Sequence, residues 1–190
     1  MKPAAFACCL FLFLNDLTLA VILRTNPRQD LFQPSPLFTM TSSRHRLIGD
    51  NDARYCGVPE EKQLFKIGEL SISPRPPTVD TRLFALLKGG VKDISESDLE
   101  EAVINLTTKS SNGGSWVLDM KFSEFPQIIV RHERQYSKYL KPGVNEIIGD
   151  LILPGIFTTT ATYSFNVEAK LPDGRTLFCF EFEYYLEGDL

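Results

Sequence analysis

Near its C-terminus the chain alternates. In RTLFCFEFEYYL (residues 175–186), Phe178, Phe180, Phe182 and Tyr184 fall on one side of an extended backbone, with Cys179, Glu181 and Glu183 on the other. Successive side chains of a strand point to opposite faces, so the pattern predicts a strand with one face in a core. LFKIGELSIS puts Phe65 and Ile67 on one parity and Leu70 and Ile72 on the other, which predicts a bulge at Gly68-Glu69. SPRPP follows and cannot continue a central strand. TRLFALLKGGV, GSWVLDMKF, PQIIVRH, NEIIGDLIL and TTTATYSFNVEAKL supply further strands, and Pro172-Asp173-Gly174 marks a hairpin turn before the last. Seven or eight antiparallel strands at this spacing predict an all-β sandwich or barrel.

One stretch supports two readings. SESDLEEAVINL opens with Ser95 and Asp98 at capping spacing, and Leu99, Ala102, Val103 and Leu106 recur at helical intervals. Ala102, Ile104 and Leu106 also alternate, and VINLTT favours a strand.

The N-terminus changes the picture of the whole chain. Lys2 precedes an apolar run from Ala4 to Leu14, and Thr18 and Ala20 are small enough for a cleavage site. That layout predicts a signal peptide over residues 1–20, because the run is too short to span a bilayer and Asn15 and Asp16 interrupt it. Residues 21–54 have no sustained period and read as a flexible or processed leader, with the domain spanning 55–190. With Cys8 and Cys9 in the signal peptide, Cys56 and Cys179 remain. In an oxidising compartment two cysteines most simply form one disulfide, and two inert buried thiols are the alternative. Asn105-Leu106-Thr107 is a glycosylation sequon, a short motif that also occurs by accident.

The net charge of −4 argues against nucleic acid, which calls for a basic stripe. His45 and His132 are the only histidines, and no His/Cys cluster with metal-ligand spacing is present. No nucleophile elbow or phosphate-cradling glycine loop appears either. Glu181 and Glu183 could do acid–base work only if enclosed; on the polar face of a strand they read as solvated. The expectation is a protein that is not an enzyme and needs no cofactor or metal.

The order of the segments adds a resemblance. YCG, then LFKIGELSISPRPP, and finally LPGIFTTTATYSFNVEAKLPDGRTLFCFEFE are similar to motifs of the ML lipid-recognition family. That family includes the Niemann–Pick type C sterol carrier and fungal phosphatidylglycerol/phosphatidylinositol transfer proteins. Phe65, Ile67, Leu70, Ile72, Pro74, Pro76 and Pro77 match the early motif. Leu153, Pro154, Val167, Ala169, Asp173 and Cys179 match the late one more loosely. The resemblance covers about residues 55–186 and is thin between 92 and 145. The family's further central disulfides have no counterpart here.

The resemblance implies an immunoglobulin-like sandwich with a lipid, sterol or phospholipid, held between its sheets. It implies a strand from about Glu101 to Lys109, and Cys56 paired with Cys179 to join the first and last strands. It further implies a lipid carrier of the secretory or lysosome- or vacuole-like lumen, a monomer touching membranes transiently. An ordinary sandwich core alternates in the same way, so solid packing and a lined cavity both agree with the aromatic face; the resemblance favours the cavity. The cavity candidates are Phe84, Trp116, Leu118, Met120, Phe165, Phe178, Phe180 and Phe182. Two competing readings are a secreted adhesion or effector module without internal ligand, and a lipid hydrolase using His132.

Overall fold

The computed structural model describes residues 46–155 and 158–188. The expected signal peptide, and the expected leader up to residue 45, lie outside them. Ten strands are present among the described residues. In chain order they are β1 (Arg54–Tyr55), β2 (Phe65–Ser73), β3 (Arg82–Val91), β4 (Val103–Ser110) and β5 (Ser115–Lys121). β6 (Ile128–His132), β7 (Gln135–Ser137), β8 (Gly143–Ile152), β9 (Ala161–Lys170) and β10 (Thr176–Leu186) complete them. Two of the ten are only two and three residues long, which leaves eight longer ones against the seven or eight that alternation predicts. They form two antiparallel five-stranded sheets, β1-β10-β9-β4-β5 and β2-β3-β8-β6-β7. The chain is an all-β sandwich.

Local chemistry explains where the period slips. The β2–β3 register shifts between Ile67 and Glu69, so Phe65, Ile67, Leu70 and Ile72 all reach the interior despite their change of parity. The ambiguous stretch is both things in succession. Ser95 caps a short helix, α1 (Glu96–Glu100), accepting a bond from the Asp98 amide at 3.2 Å, and β4 begins three residues later.

The domain starts earlier than Tyr55. Arg46–Arg54, assigned above to a leader, are part of the sandwich: Leu47, Asn51 and Ala53 are buried. The Leu70 and Ile72 amides donate to the Ile48 and Asp50 carbonyls at 2.8 and 3.0 Å, so this segment covers the edge of β2. Asn51 fixes its path, donating to the Leu70 carbonyl at 2.7 Å and accepting from the Ala53 amide at 2.8 Å. A segment that crosses a sheet edge has no reason to alternate, which is why its sequence resembles a linker.

Cys56 and Cys179 form a disulfide with Cα atoms 5.5 Å apart, closing 123 residues of sequence separation. Cys179 lies on the opposite side of β10 from the phenylalanines, yet it is buried. The loop before β2 covers it. There Gln63 acts as a surrogate peptide, accepting from the Cys179 amide at 2.9 Å and donating to its carbonyl at 3.2 Å.

Candidate functional site

Register sorts the inward side chains of the β10 sheet into rows. The first is Phe178–Ala169–Ile104–Met120, the second Phe180–Val167–Leu106–Leu118, and the third Phe182–Phe165–Thr108–Trp116. Tyr184, Tyr163 and Ser110 make a fourth. These rows run from one end of the sandwich to the other, and they are not equally filled.

At the first row the interior is solid. Phe178 meets Phe65 of the facing sheet edge-on at 5.4 Å and Phe122 at 6.3 Å, and all three rings are almost completely buried. Phe65 packs so closely over Gly89 that a Cβ there would lie 2.2 Å from the ring.

Toward the other end, marked by connections 74–81 and 111–114, inward-facing side chains are less completely buried. Val167 and Leu106 sit on β9 and β4, strands flanked on both sides, yet both are only half-buried. Being at a sheet edge cannot account for that. Phe182 is half-buried as well, and Trp116, on the edge strand β5, is 51% exposed while stacked at 6.1 Å on Tyr163. On the facing sheet, Ala85, Gly149 and Ile128 lie side by side across three strands, with Leu151 beyond. Ala85, Ile128 and Leu151 are half-buried too.

Gly149 is buried, but a Cβ added there would meet only Ala85 within 4 Å, at ordinary contact distance. An alanine would therefore fit at this inward position without a clash. The sheets face each other here with rings on one side and small residues on the other, a less covered stretch that we call the cleft.

The predicted site residues therefore separate. Phe182, Phe165, Trp116, Leu118 and Phe180 gather along the cleft, with Phe165 and Phe182 stacked at 5.0 Å. Met120 and Phe178 belong to the filled row. Phe84 is a correction: it points outward and is 46% exposed. The run Leu83-Phe84-Ala85-Leu86-Leu87 is apolar on both parities, and pairing with β8 turns Leu83, Ala85 and Leu87 inward. Sequence reasoning missed Gly149, Ala85 and Leu106. A glycine inside a strand was the available signal for the first, whereas NEIIGDLIL carries apolar residues on both faces and hides its parity.

Other candidates take structural places. The Arg54 side chain donates to Glu181 at 3.1 Å, and Glu183 is exposed. His132 Nδ1 donates to the Val144 carbonyl at 2.8 Å, at the far end of β6 from the cleft. Asn105 faces outward on β4, half-buried, accepting from Thr107 at 3.0 Å. Among the described residues no group of three or more His, Cys, Asp or Glu could hold a metal ion, and no helix is long and apolar enough to cross a membrane.

Two tyrosine hydroxyls are held far above their ordinary range. Burial, then the Glu60 carboxylate beside it, pushes Tyr55 up to about 12. Burial also pushes Tyr184 up to about 12, Asp52 and Asp50 raising it and Arg75 and Arg46 opposing them.

No family model matches the sequence, and no curated protein matches it. Among solved structures the chain is similar to astrotactin-2, described as a conserved vertebrate-specific and perforin-like membrane protein involved in neuronal development. The likeness has 14% identity and a TM-score of 0.35, covering 70% of this chain and 24% of that one. The chain thus spans about a quarter of that protein's length. At that score neither fold nor function follows from it.

Proposed function

We propose that the protein binds a lipid in the apolar cleft and carries it through an aqueous lumen. The observation that carries this reading is the half-burial of Val167 and Leu106. Two apolar side chains on central strands, facing the interior, are left for a guest to cover. Covering them removes hydrocarbon from water, worth roughly 25 cal/mol per Å², and asks for no charged partner inside. The resemblance to the ML lipid-recognition family points the same way, with a sterol or phospholipid as the ligand classes it implies. One disulfide instead of several leaves the cleft end free to part while the filled end stays closed. The test is solvent extraction of the purified protein followed by lipid mass spectrometry. A carrier arrives with a stoichiometric lipid, and a protein reproducibly empty after secretion from a lipid-replete cell contradicts the reading.

A second reading rests on the outer face of the β2-β3-β8 sheet. There Leu86, Ile148 and Ile129 lie side by side, with Phe84 one step along beside Asp150 and Ile152 two steps along beside Arg82. Phe84, Ile129 and Ile152 are each about half exposed, at 46%, 46% and 50%. An apolar patch on an outer face is a feature of contact surfaces, so it favours a secreted adhesion or effector module. An empty cleft together with Phe84→Ser abolishing surface association would select that reading.

A further inference from the structure

Tyr184 stands one step along β10 from Phe182, their rings 5.5 Å apart, on the same inward face. Its residue is 7% exposed, and its hydroxyl is the one buried side-chain oxygen or nitrogen among the described residues without a hydrogen-bond partner. Every other buried polar side chain named above is satisfied; Gln63 and Asn51 each make several bonds. A buried hydroxyl with no partner is costly, and phenylalanine would fill the same space without that cost. Tyr184 belongs to a buried cluster with Ala161, Tyr163, Phe165 and Leu186, against which the half-buried Leu106 and Phe182 pack.

We infer that the Tyr184 hydroxyl is the polar anchor of the cleft, donating its hydrogen to an oxygen of an uncharged amphiphile, either a hydroxyl or an ester carbonyl. This inference rests on the lipid-binding reading and narrows it to a ligand class. The surrounding charge supports the uncharged form. Arg75 pairs with Asp50 at 2.9 Å and Asp52 at 3.6 Å, and Arg46 pairs with Asp52 at 3.0 Å. Two cations facing two anions leave no surplus charge to hold a phosphate. The hydroxyl also keeps its proton throughout the physiological range, so it presents a donor and not an anion.

The test compares the full secreted protein with Tyr184→Phe, measuring displacement of a fluorescent naphthylamine probe by hexadecanol, methyl palmitate and hexadecane. The expected result is about a tenfold weaker affinity of the variant for the alcohol or the ester, with hexadecane unchanged. Whether one or both oxygenated ligands respond identifies the hydroxyl or the carbonyl as the group held. Equal affinities of both proteins for all three ligands overturn the anchor and leave the carrier reading standing. Failure of the probe to bind either protein overturns both. Thermal unfolding of the lipid-free proteins supplies a second readout: the variant should melt at the same temperature or higher, and a fall of several degrees would reveal an internal partner and overturn the proposal.

Discussion

Gly89 and Gly149 both lie on inward positions of the same sheet, on neighbouring strands. Over Gly89 the ring of Phe65 closes to a distance that excludes a methyl group. Over Gly149 a methyl group would find ordinary contact with Ala85 and no clash. The same missing side chain serves opposite ends: it lets rings interlock in the half held by Phe65, Phe122 and Phe178, and it leaves room in the half lined by Phe182 and Trp116. The two ends of one sandwich thus pack differently.

The largest expected effects break the filled half. Phe178→Ala should cost about 3–5 kcal/mol in chemical denaturation, because it empties a fully buried site walled by the rings of Phe65, Phe122 and Phe180. Phe182→Ala, at a position already half open, should cost less than about 2 kcal/mol. Equal costs would erase the distinction between the halves. Removing the disulfide with Cys56→Ser and Cys179→Ser should cost roughly 4–5 kcal/mol in the chain-entropy account, read as a lowered denaturation midpoint.

The glycine pair sharpens the contrast. Gly89→Ala should destabilise by about 1–3 kcal/mol, since the Lys66 carbonyl, 2.4 Å from the new Cβ, is backbone and cannot step aside. Gly149→Ala should be neutral, or stabilising by up to about 1 kcal/mol, as alanine loses less entropy in a strand. Thermal scans of the two variants side by side decide it.

A last effect concerns pH. Unfolded tyrosines ionise near 10, whereas folded Tyr55 and Tyr184 keep their protons until about 12. Stability is therefore complete below pH 10 and falls as pH rises through 12, by on the order of 2 kcal/mol for each tyrosine. Tyr184→Phe should remove about half of that fall in denaturation midpoints measured across the window.

Much of the fold was legible because alternation is a direct consequence of strand geometry. Phe178, Phe180, Phe182 and Tyr184 declare their face, and the glycine at the β2 bulge announces the change of parity. Legibility failed where both faces are apolar, as in Leu83 to Leu87, so Phe84 was placed inside when pairing with β8 turns it out. It failed also where the backbone follows an edge, as in Arg46–Arg54, whose burial depends on Asn51 bonding to a strand 19 residues away. The site was half legible. Rings mark one wall of the cleft, but the opposite wall is made of what is absent, Gly149 and Ala85, and an absence has no hydrophobic signal.

Trp116 offers the most direct test of the central claim, that the cleft between the sheets admits an apolar guest. It is the only tryptophan of the chain and stands at the cleft's edge, stacked on Tyr163. Titration with a long-chain lipid brominated along its tail should quench Trp116 emission saturably, at about one equivalent, with the fold intact by circular dichroism. Emission that stays unchanged through the titration, in protein that remains folded, would contradict the account.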